Sequence, residues 1–226
     1  MQNITITVKL RLYTNHAQDW LFRRMTQRYR AACNFVSKYI FDHDFELNSH
    51  HLHKELYRQV RSDFKLKSQL TSSVFRTATA RYQSVRTQLL QNPFRYRDEN
   101  GQYHKIDKTL EWLYKPVYFS RPQADLVRDR DYSFVEGGKM LSVNTLDKRA
   151  RVRFAAAHFQ QYLDGTWSFG TAKLVSLKGI WYLHIPVTRA FEEFDKSASK
   201  FFVSDISFWK CGGNCKRREQ NPRKEH

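Results

Sequence analysis

The sequence is short of cysteine, of acidic residues and of long apolar runs. Its three cysteines, Cys33, Cys211 and Cys215, are too few for a disulfide framework in a chain of 226 residues. No apolar run approaches the roughly 20 residues that a membrane helix needs, and the alternating first residues lack the apolar block of a signal peptide. These features predict a cytoplasmic protein with reduced thiols and no membrane partner.

The charge balance predicts a polyanionic partner. Lysine and arginine number 39 against 22 acidic residues, which gives a net charge of +17 and a pI near 9.9. Such an excess opposes compaction unless a polyanion neutralises it, and a domain pI above about 9 is typical of nucleic-acid binding. Seventeen phenylalanines and twelve tyrosines can fill a core, which argues against disorder. The alternative is a folded protein that is basic for no functional reason.

Hydrophobic periodicity predicts one strand followed by three helices. Apolar residues alternate with polar ones from Ile4 to Leu12, as in a strand with one buried face. Thr14 or Asn15 can cap the helix that follows. Apolar residues at steps of three and four then predict helices at roughly 17–41, 52–64 and 70–89. Basic residues lie off the apolar stripes, so each helix presents either a phosphate-binding face or an ordinary solvated one.

The segment NPFRYRDENGQYHKIDK, residues 92–108, interleaves basic and aromatic side chains around turn signals. The sequence of this segment allows two interpretations. The basic residues can hold phosphates while the rings stack on bases, or the segment is a hairpin with ordinary cross-strand aromatic packing.

The second half of the chain predicts antiparallel strands. Strand-like pieces occupy 115–119, 132–143 and 149–159, with a turn at 136–139, and residues 172–191 form a hairpin that turns near 178–179. An isolated N-terminal strand needs partners, and the later strands can supply them. We therefore infer an α+β fold, in which a discontinuous antiparallel β-barrel contains an inserted helical domain.

His184 lies on the strand face opposite Leu183 and Ile185. Without a second His or Cys at ligand spacing, we expect a structural residue rather than a metal ligand.

Several motifs along the chain resemble the N-terminal half of the OrfB/TnpB family of transposon-encoded, RNA-guided nucleases, relatives of the type V CRISPR effectors. They are the opening ITVKLRLYTN, the hairpin AKLVSLKGIWYLHIPV, and Val203-Ser204-Asp205-Ile206-Ser207, which is similar to a V-x-x-D-x-G strand end. The helix segment YRAACNFVSKYI is also similar, at Tyr29, Arg30, Cys33, Asn34, Val36 and Ser37.

The resemblance implies a domain organisation. Residues 1–13 and 115–197 correspond to a wedge-like β-barrel and residues 14–114 to a helical recognition lobe. Residues 198–226 then correspond to a RuvC-like remnant, with a truncated first strand and a basic tail.

The resemblance also implies chemistry, which the sequence supports only in part. Family members cleave DNA with Mg²⁺ held by several carboxylates. Here Asp205 matches the first carboxylate and is the one candidate catalytic and metal-binding residue, while Cys211 and Cys215 alone make no zinc site. We therefore expect a truncated, nuclease-deficient RNA-guided DNA-binding protein that needs no cofactor of its own. Its expected partners are a guide RNA and a double-stranded DNA target.

Three alternatives remain open. They are an endonuclease completed by a second chain, a DNA-binding protein without RNA, and a product that does not fold stably. The residues that we expect to contact nucleic acid are Arg23, Arg24, Arg28, Arg30, Arg76, Arg81, Arg86, Arg121 and Gln123.

Overall fold

The computed structural model describes residues 2–155 and 159–191. Thr5–Arg189 belong to one compact unit, while the described residues 2–4 and 190–191 belong to a second unit and enter only as strand ends. The predicted RuvC-like remnant, with Asp205, Cys211 and Cys215, lies outside the described residues.

Three long helices form where the apolar periodicity predicts them. They are α1 His16–Asp42, α2 Ser49–Phe64 and α3 Ser68–Gln91, and short 3-10 turns lie at Leu110–Trp112 and Gln160–Tyr162. Asn15 caps α1, because its side chain accepts the Gln18 backbone N–H at 2.9 Å and the Gln18 side chain accepts the Asn15 backbone N–H at 2.9 Å. This reciprocal pair fixes the first helical turn and confirms one of the two predicted caps.

Ten strands are described. They are β1 Gln2–Tyr13, β2 Phe94–Arg97, β3 Tyr103–Ile106, β4 Gln123–Leu126, β5 Tyr132–Val135, β6 Met140–Asn144, β7 Arg149–Phe154, β8 Ser168–Phe169, β9 Ala172–Leu177 and β10 Ile180–Phe191. Eight of them form one sheet, in the order β4-β9-β10-β1-β7-β6-β5 with β8 beside β10, and β2 pairs with β3 separately.

The sheet order explains how the N-terminal strand is completed. β1 lies between β10 and β7, and its antiparallel register with β7 pairs Leu12 with Phe154. The prediction that β1 finds its partners among the later strands is therefore confirmed. The α+β class and the antiparallel sheet are also confirmed, while the barrel, lobe and nuclease assignments stay predictions.

Both predicted hairpins form. β9 and β10 pair through Leu177 and Ile180 across the turn at 178–179, and β5 and β6 pair through Val135 and Met140 across the turn at 136–139. On β10 the residues Trp181, Leu183, Ile185 and Val187 are buried, as the period of two predicts.

The helices pack on this sheet through a shared apolar core. Trp181 of β10 meets Phe22 of α1 edge to face, with ring centroids 5.4 Å apart and planes at 74°. The indole Nε1–H donates to Asp19 Oδ1 at 2.7 Å. This contact joins the start of α1 to the middle of the sheet, because the ring fills the core while its polar atom is satisfied.

One predicted strand is wrong. Residues 115–119 belong to no strand, because the backbone there bonds to side chains of α1 and α3 instead of to a neighbouring strand. Side chains of α1 and α3 therefore take the place of the expected neighbouring strand.

Candidate nucleic-acid interface

One face of α1 holds the segment Val117–Ser120 against the helices. Ser37 Oγ donates to the Val117 carbonyl. Asn34 bonds Phe119 twice, since its Oδ1 accepts the Phe119 backbone N–H at 2.8 Å and its Nδ2 donates to the Phe119 carbonyl at 3.2 Å. Arg30 Nη1 donates to the Ser120 carbonyl at 3.0 Å. These three α1 residues lie at steps of three and four, so one helix face bonds consecutive parts of the segment.

Tyr82 of α3 completes this anchor. Its hydroxyl oxygen accepts the Val117 backbone N–H at 3.2 Å and its hydroxyl donates to the Ser37 carbonyl at 2.8 Å. The α1 residues on which the family resemblance rests therefore have a structural role in this chain, either in the core or in positioning the segment that precedes Arg121.

A groove of about 460 Å³ lies between α3, the Val117–Ser120 segment and the sheet; we call it the α3 groove. Its walls are Thr77, Ala80, Arg81 and Ser84 of α3, the stretch from Tyr118 to Arg121, Gln123 and Asp125 of β4, and Lys173 of β9. Three residues predicted from the sequence, Arg81, Arg121 and Gln123, thus line one groove although they are far apart in the chain.

The groove wall carries exposed cations and one exposed ring. Arg81 and Arg121 are exposed, the Lys173 side chain is 46 % exposed, and Tyr118 is 70 % exposed. Gln123, half-buried, contributes an amide that can both donate and accept. This combination of cations, a stackable ring and an amide can bind phosphates and bases together.

The floor of the groove is a partly buried hydrogen-bond chain. Thr77 Oγ1 donates to Asp125 Oδ2 at 2.5 Å and lies 2.7 Å from the Tyr29 hydroxyl. Burial raises the pKa of Tyr29 well above its usual range, and burial raises that of the Cys33 thiol in the same way. Asp125 Oδ1 is buried and has no hydrogen-bond partner among the described residues. The nearest cation, Lys173 Nζ, is 4.0 Å away.

Arg76 borders the same region. It lines a neighbouring cavity of about 200 Å³, which shares Thr77, Ala80 and Asp125 with the α3 groove. Its Nη2 donates to Ser73 Oγ at 3.3 Å. Arg76 therefore extends the cationic wall along α3.

Other predicted contact residues do not line the α3 groove. Arg23 pairs with Asp19 at 2.6 Å and Arg24 with Asp147 at 2.8 Å. Apart from Arg76, the predicted residues outside the groove are these two, together with Arg28, half-buried on α1, Arg30, which holds the Val117–Ser120 segment, and Arg86, which lines a different cavity beside Lys108.

The basic and aromatic segment forms the β2–β3 hairpin. All residues of both strands are exposed, and cross-strand register pairs Tyr96 with His104 and Arg97 with Tyr103. Tyr96 and His104 stack with centroids 5.2 Å apart, and the Arg97 guanidinium lies 4.2 Å from the centre of the Tyr103 ring. The hairpin interpretation is confirmed, and its exposed rings leave the base-stacking interpretation open as a prediction.

The sequence predicted that His184 is not a metal ligand and that the protein has no membrane partner. His184 has a lowered pKa, because burial and the charges of Lys9 and Lys173 oppose its protonation. Among residues 2–155 and 159–191, no group of three or more His, Cys, Asp or Glu residues can hold a metal ion. Within those same ranges, every helix is too short or too polar to cross a bilayer.

Sequence reasoning missed Thr77, Asp125, Lys173 and Tyr118. Lys173 alternates with buried residues of β9, so the period of two already placed it on the polar face. No pattern in the sequence predicts that Lys173 lies near Arg81 or Asp125, since the groove is assembled from α3, β4 and β9.

No protein-family model and no curated protein matches this sequence.

Proposed function

We propose that this protein binds nucleic acid through the α3 groove, as an RNA-guided DNA-binding protein of the kind that the OrfB/TnpB resemblance implies. The observation that carries the proposal is the convergence of Arg81, Arg121 and Lys173 around one groove with an exposed Tyr118 at its wall. The expected partners are a guide RNA and a double-stranded DNA target.

The groove chemistry fits this substrate class better than it fits a small acidic molecule. Guanidinium groups bind phosphate oxygens in a bidentate manner, and lysine adds a point charge. The Tyr118 ring is open to solvent, which suits stacking on a base. Gln123 and Asp125 line the inner part of the groove and can contact base edges, since an amide pairs with adenine and a carboxylate accepts from cytosine.

Charge distribution supports the same conclusion. Many acids of the described unit are used in internal ion pairs, among them Asp19, Asp42 and Asp147. In the groove the one acid is Asp125, against three cations. The local excess of positive charge therefore persists at the groove, where a backbone of phosphates can neutralise it.

Fluorescence anisotropy with labelled duplex DNA and with labelled RNA tests the groove. If about six to ten cations of the whole protein pair with phosphates, affinity falls roughly 10³–10⁵-fold between 50 and 200 mM salt. Arg81→Ala and Arg121→Ala should each weaken binding and reduce the slope of log K against log salt by about 1. Arg58→Ala, an exposed arginine on α2, is the matched control. A flat salt response, or equal losses in the control, would contradict the groove assignment.

RNA guidance requires a separate experiment. Sequencing the RNA that co-purifies with the protein from its host should yield one discrete transcript. Its absence, combined with salt-dependent binding to duplex DNA, would support the alternative of a DNA-binding protein without RNA.

The proposal is limited to binding, because Asp205 is the one residue that matches the carboxylates of the family. Asp205 lies outside the described residues. Incubation of the protein with the co-purified RNA, Mg²⁺ and matching DNA tests whether the protein binds DNA without cleaving it. Cleavage that Asp205→Ala abolishes would replace the binding-only proposal with the endonuclease alternative.

A further inference from the structure

A second basic cavity, of about 400 Å³, lies at the start of α3 and is distinct from the α3 groove. We call it the α3 N-terminal pocket. It is lined by residues from four parts of the fold, namely Arg61 of α2, Lys67, Ser68 and Gln69 at the start of α3, Arg130 and Asp131 before β5, and Asn144 of β6.

The pocket is electropositive for two reasons. Lys67 occupies the cap position of α3 and provides no side-chain acceptor, so the first backbone N–H groups of this helix keep their partial positive charge. The cations around it bond neutral amides, since Lys67 Nζ donates to Asn144 Oδ1 at 2.8 Å and Arg130 Nη1 donates to Gln69 Oε1 at 2.9 Å. These bonds orient the two cations without neutralising them.

Asp131 provides a second and independent observation. Its side chain is fully buried and lines this pocket. One carboxylate oxygen, Oδ2, accepts the Val127 backbone N–H at 2.9 Å, whereas Oδ1 has no hydrogen-bond partner among the described residues. Burial raises the pKa of Asp131, partly offset by a hydrogen bond from Val127 and by Arg149 and Arg130.

An unpartnered carboxylate oxygen beside a cationic pocket restricts the ligand. A fully deprotonated anion pairs with the cations of the pocket but is repelled by the Asp131 carboxylate. A cation without acceptor groups pairs with Asp131 but is repelled by Lys67 and Arg130. A hydrogen-bearing phosphate satisfies both, because its charged oxygens accept from the helix N–H groups, Lys67 and Arg130 while its P–OH donates to a carboxylate. Monoesters lose their second proton near pH 6, so a large share of them still carry such a hydrogen at mildly acidic pH.

We propose that the α3 N-terminal pocket binds a phosphate group that carries a hydrogen, either inorganic phosphate or a phosphomonoester, and that Asp131 makes it selective against sulfate and internal phosphodiesters. This proposal does not depend on the α3 groove. A failure of the nucleic-acid proposal for the α3 groove would therefore not contradict the phosphate proposal for this pocket, and the converse also holds.

Isothermal titration calorimetry of the full chain at pH 6.5 with inorganic phosphate and with sulfate, at matched ionic strength, tests the pocket. Because one hydrogen bond to a charged group is at stake, phosphate should bind about tenfold or more tightly than sulfate. Asp131→Asn should remove this preference, and Arg130→Ala should weaken phosphate binding about tenfold. Arg58→Ala lies on α2 one turn before Arg61 and is the control that should leave it unchanged.

If Asp131→Asn fails to fold, as its melting curve would show, Lys67→Gln still tests the pocket through the affinity for phosphate. Equal affinities for phosphate and sulfate in the unaltered protein would overturn the proposal. So would phosphate binding that neither Arg130→Ala nor Lys67→Gln weakens.

Two sources can supply such a phosphate, the end of a nucleic-acid strand and a small molecule. An oligonucleotide with a 5′-phosphate should bind more tightly than its 5′-hydroxyl counterpart if the strand end enters the pocket, and inorganic phosphate should compete away the difference. Phosphate binding without that difference would assign the pocket to a small phosphorylated molecule. Absence of both would overturn the proposal.

Discussion

The two-way bond between Asn34 and Phe119 gives the sharpest prediction about stability. Replacing Asn34 with alanine removes both the acceptor of the Phe119 N–H and the donor to the Phe119 carbonyl. A buried polar group left without a partner costs about 1–3 kcal/mol. Both bonds are partly buried, so about 1 kcal/mol for each is appropriate. Alanine favours a helix over asparagine by about 0.5 kcal/mol, so we predict a net loss of about 1.5 kcal/mol in the free energy of unfolding.

Thermal and urea unfolding followed by circular dichroism measure this loss. For a chain of this size the melting temperature should fall by about 3–6 °C. Gln27→Ala is the control, because Gln27 is exposed on the same helix and such surface changes stay within about 0.5 kcal/mol. The reasoning would be refuted if Asn34→Ala changed stability no more than this control does.

The same variant has a functional consequence below its melting temperature. Asn34 holds Phe119, two residues before Arg121 at the groove wall. Loosening the segment should weaken nucleic-acid binding in Asn34→Ala while the protein is still folded. A double variant with Ser37→Ala should show a coupling energy of about 0.5 kcal/mol or more, because both side chains bond the same segment.

Two further predictions concern buried groups. Cys33 is buried and its pKa is raised, so mass spectrometry should find it unmodified by iodoacetamide in the native protein and modified in urea. His184 has a lowered pKa, so the folded protein binds fewer protons than the unfolded chain as pH falls through about 6.5. Its contribution to stability is therefore present above that pH and lost below it. His184→Gln should reduce the loss of unfolding free energy between pH 7 and pH 5; an unchanged loss would contradict the assignment.

Local order could be predicted from the sequence wherever one face of an element is buried. The apolar steps of α1 and the alternation of β10 follow directly from packing against a shared core. The partners of β1 were predicted too, because a strand with one apolar face requires neighbours and only the later strands offered them. Residues 115–119 show the limit of such reasoning. An alternation of apolar and polar residues predicts an extended backbone. It does not predict whether that backbone forms hydrogen bonds with a neighbouring strand or with the side chains of a helix.

The candidate site was predicted only in part. The sequence shows which residues are charged, but the topology of the fold determines which other residues lie next to them. Arg121 was identified from its expected place near the junction of lobe and barrel, and Arg81 as a cation off the apolar stripe of its helix. Both line the α3 groove. Arg23 and Arg24 were identified by the same signal as Arg81, yet each pairs with an aspartate. For Arg23 the sequence does hold a local signal, because Asp19 lies four residues before it on the same helix. For Arg24 no local pattern does, because its partner Asp147 lies 123 residues away in the chain.

Two cationic cavities of the described unit share one feature that composition does not reveal. Each is lined by an aspartate with a buried oxygen that has no partner among the described residues, Asp125 in the α3 groove and Asp131 in the α3 N-terminal pocket. Each such oxygen costs about 1–3 kcal/mol of stability. A uniform polyanion would satisfy the cations and leave both carboxylates unpaired. A ligand that also brings an N–H or O–H donor satisfies cation and carboxylate together, so the pattern favours a ligand with hydrogen-bond donors over neutralisation of charge alone.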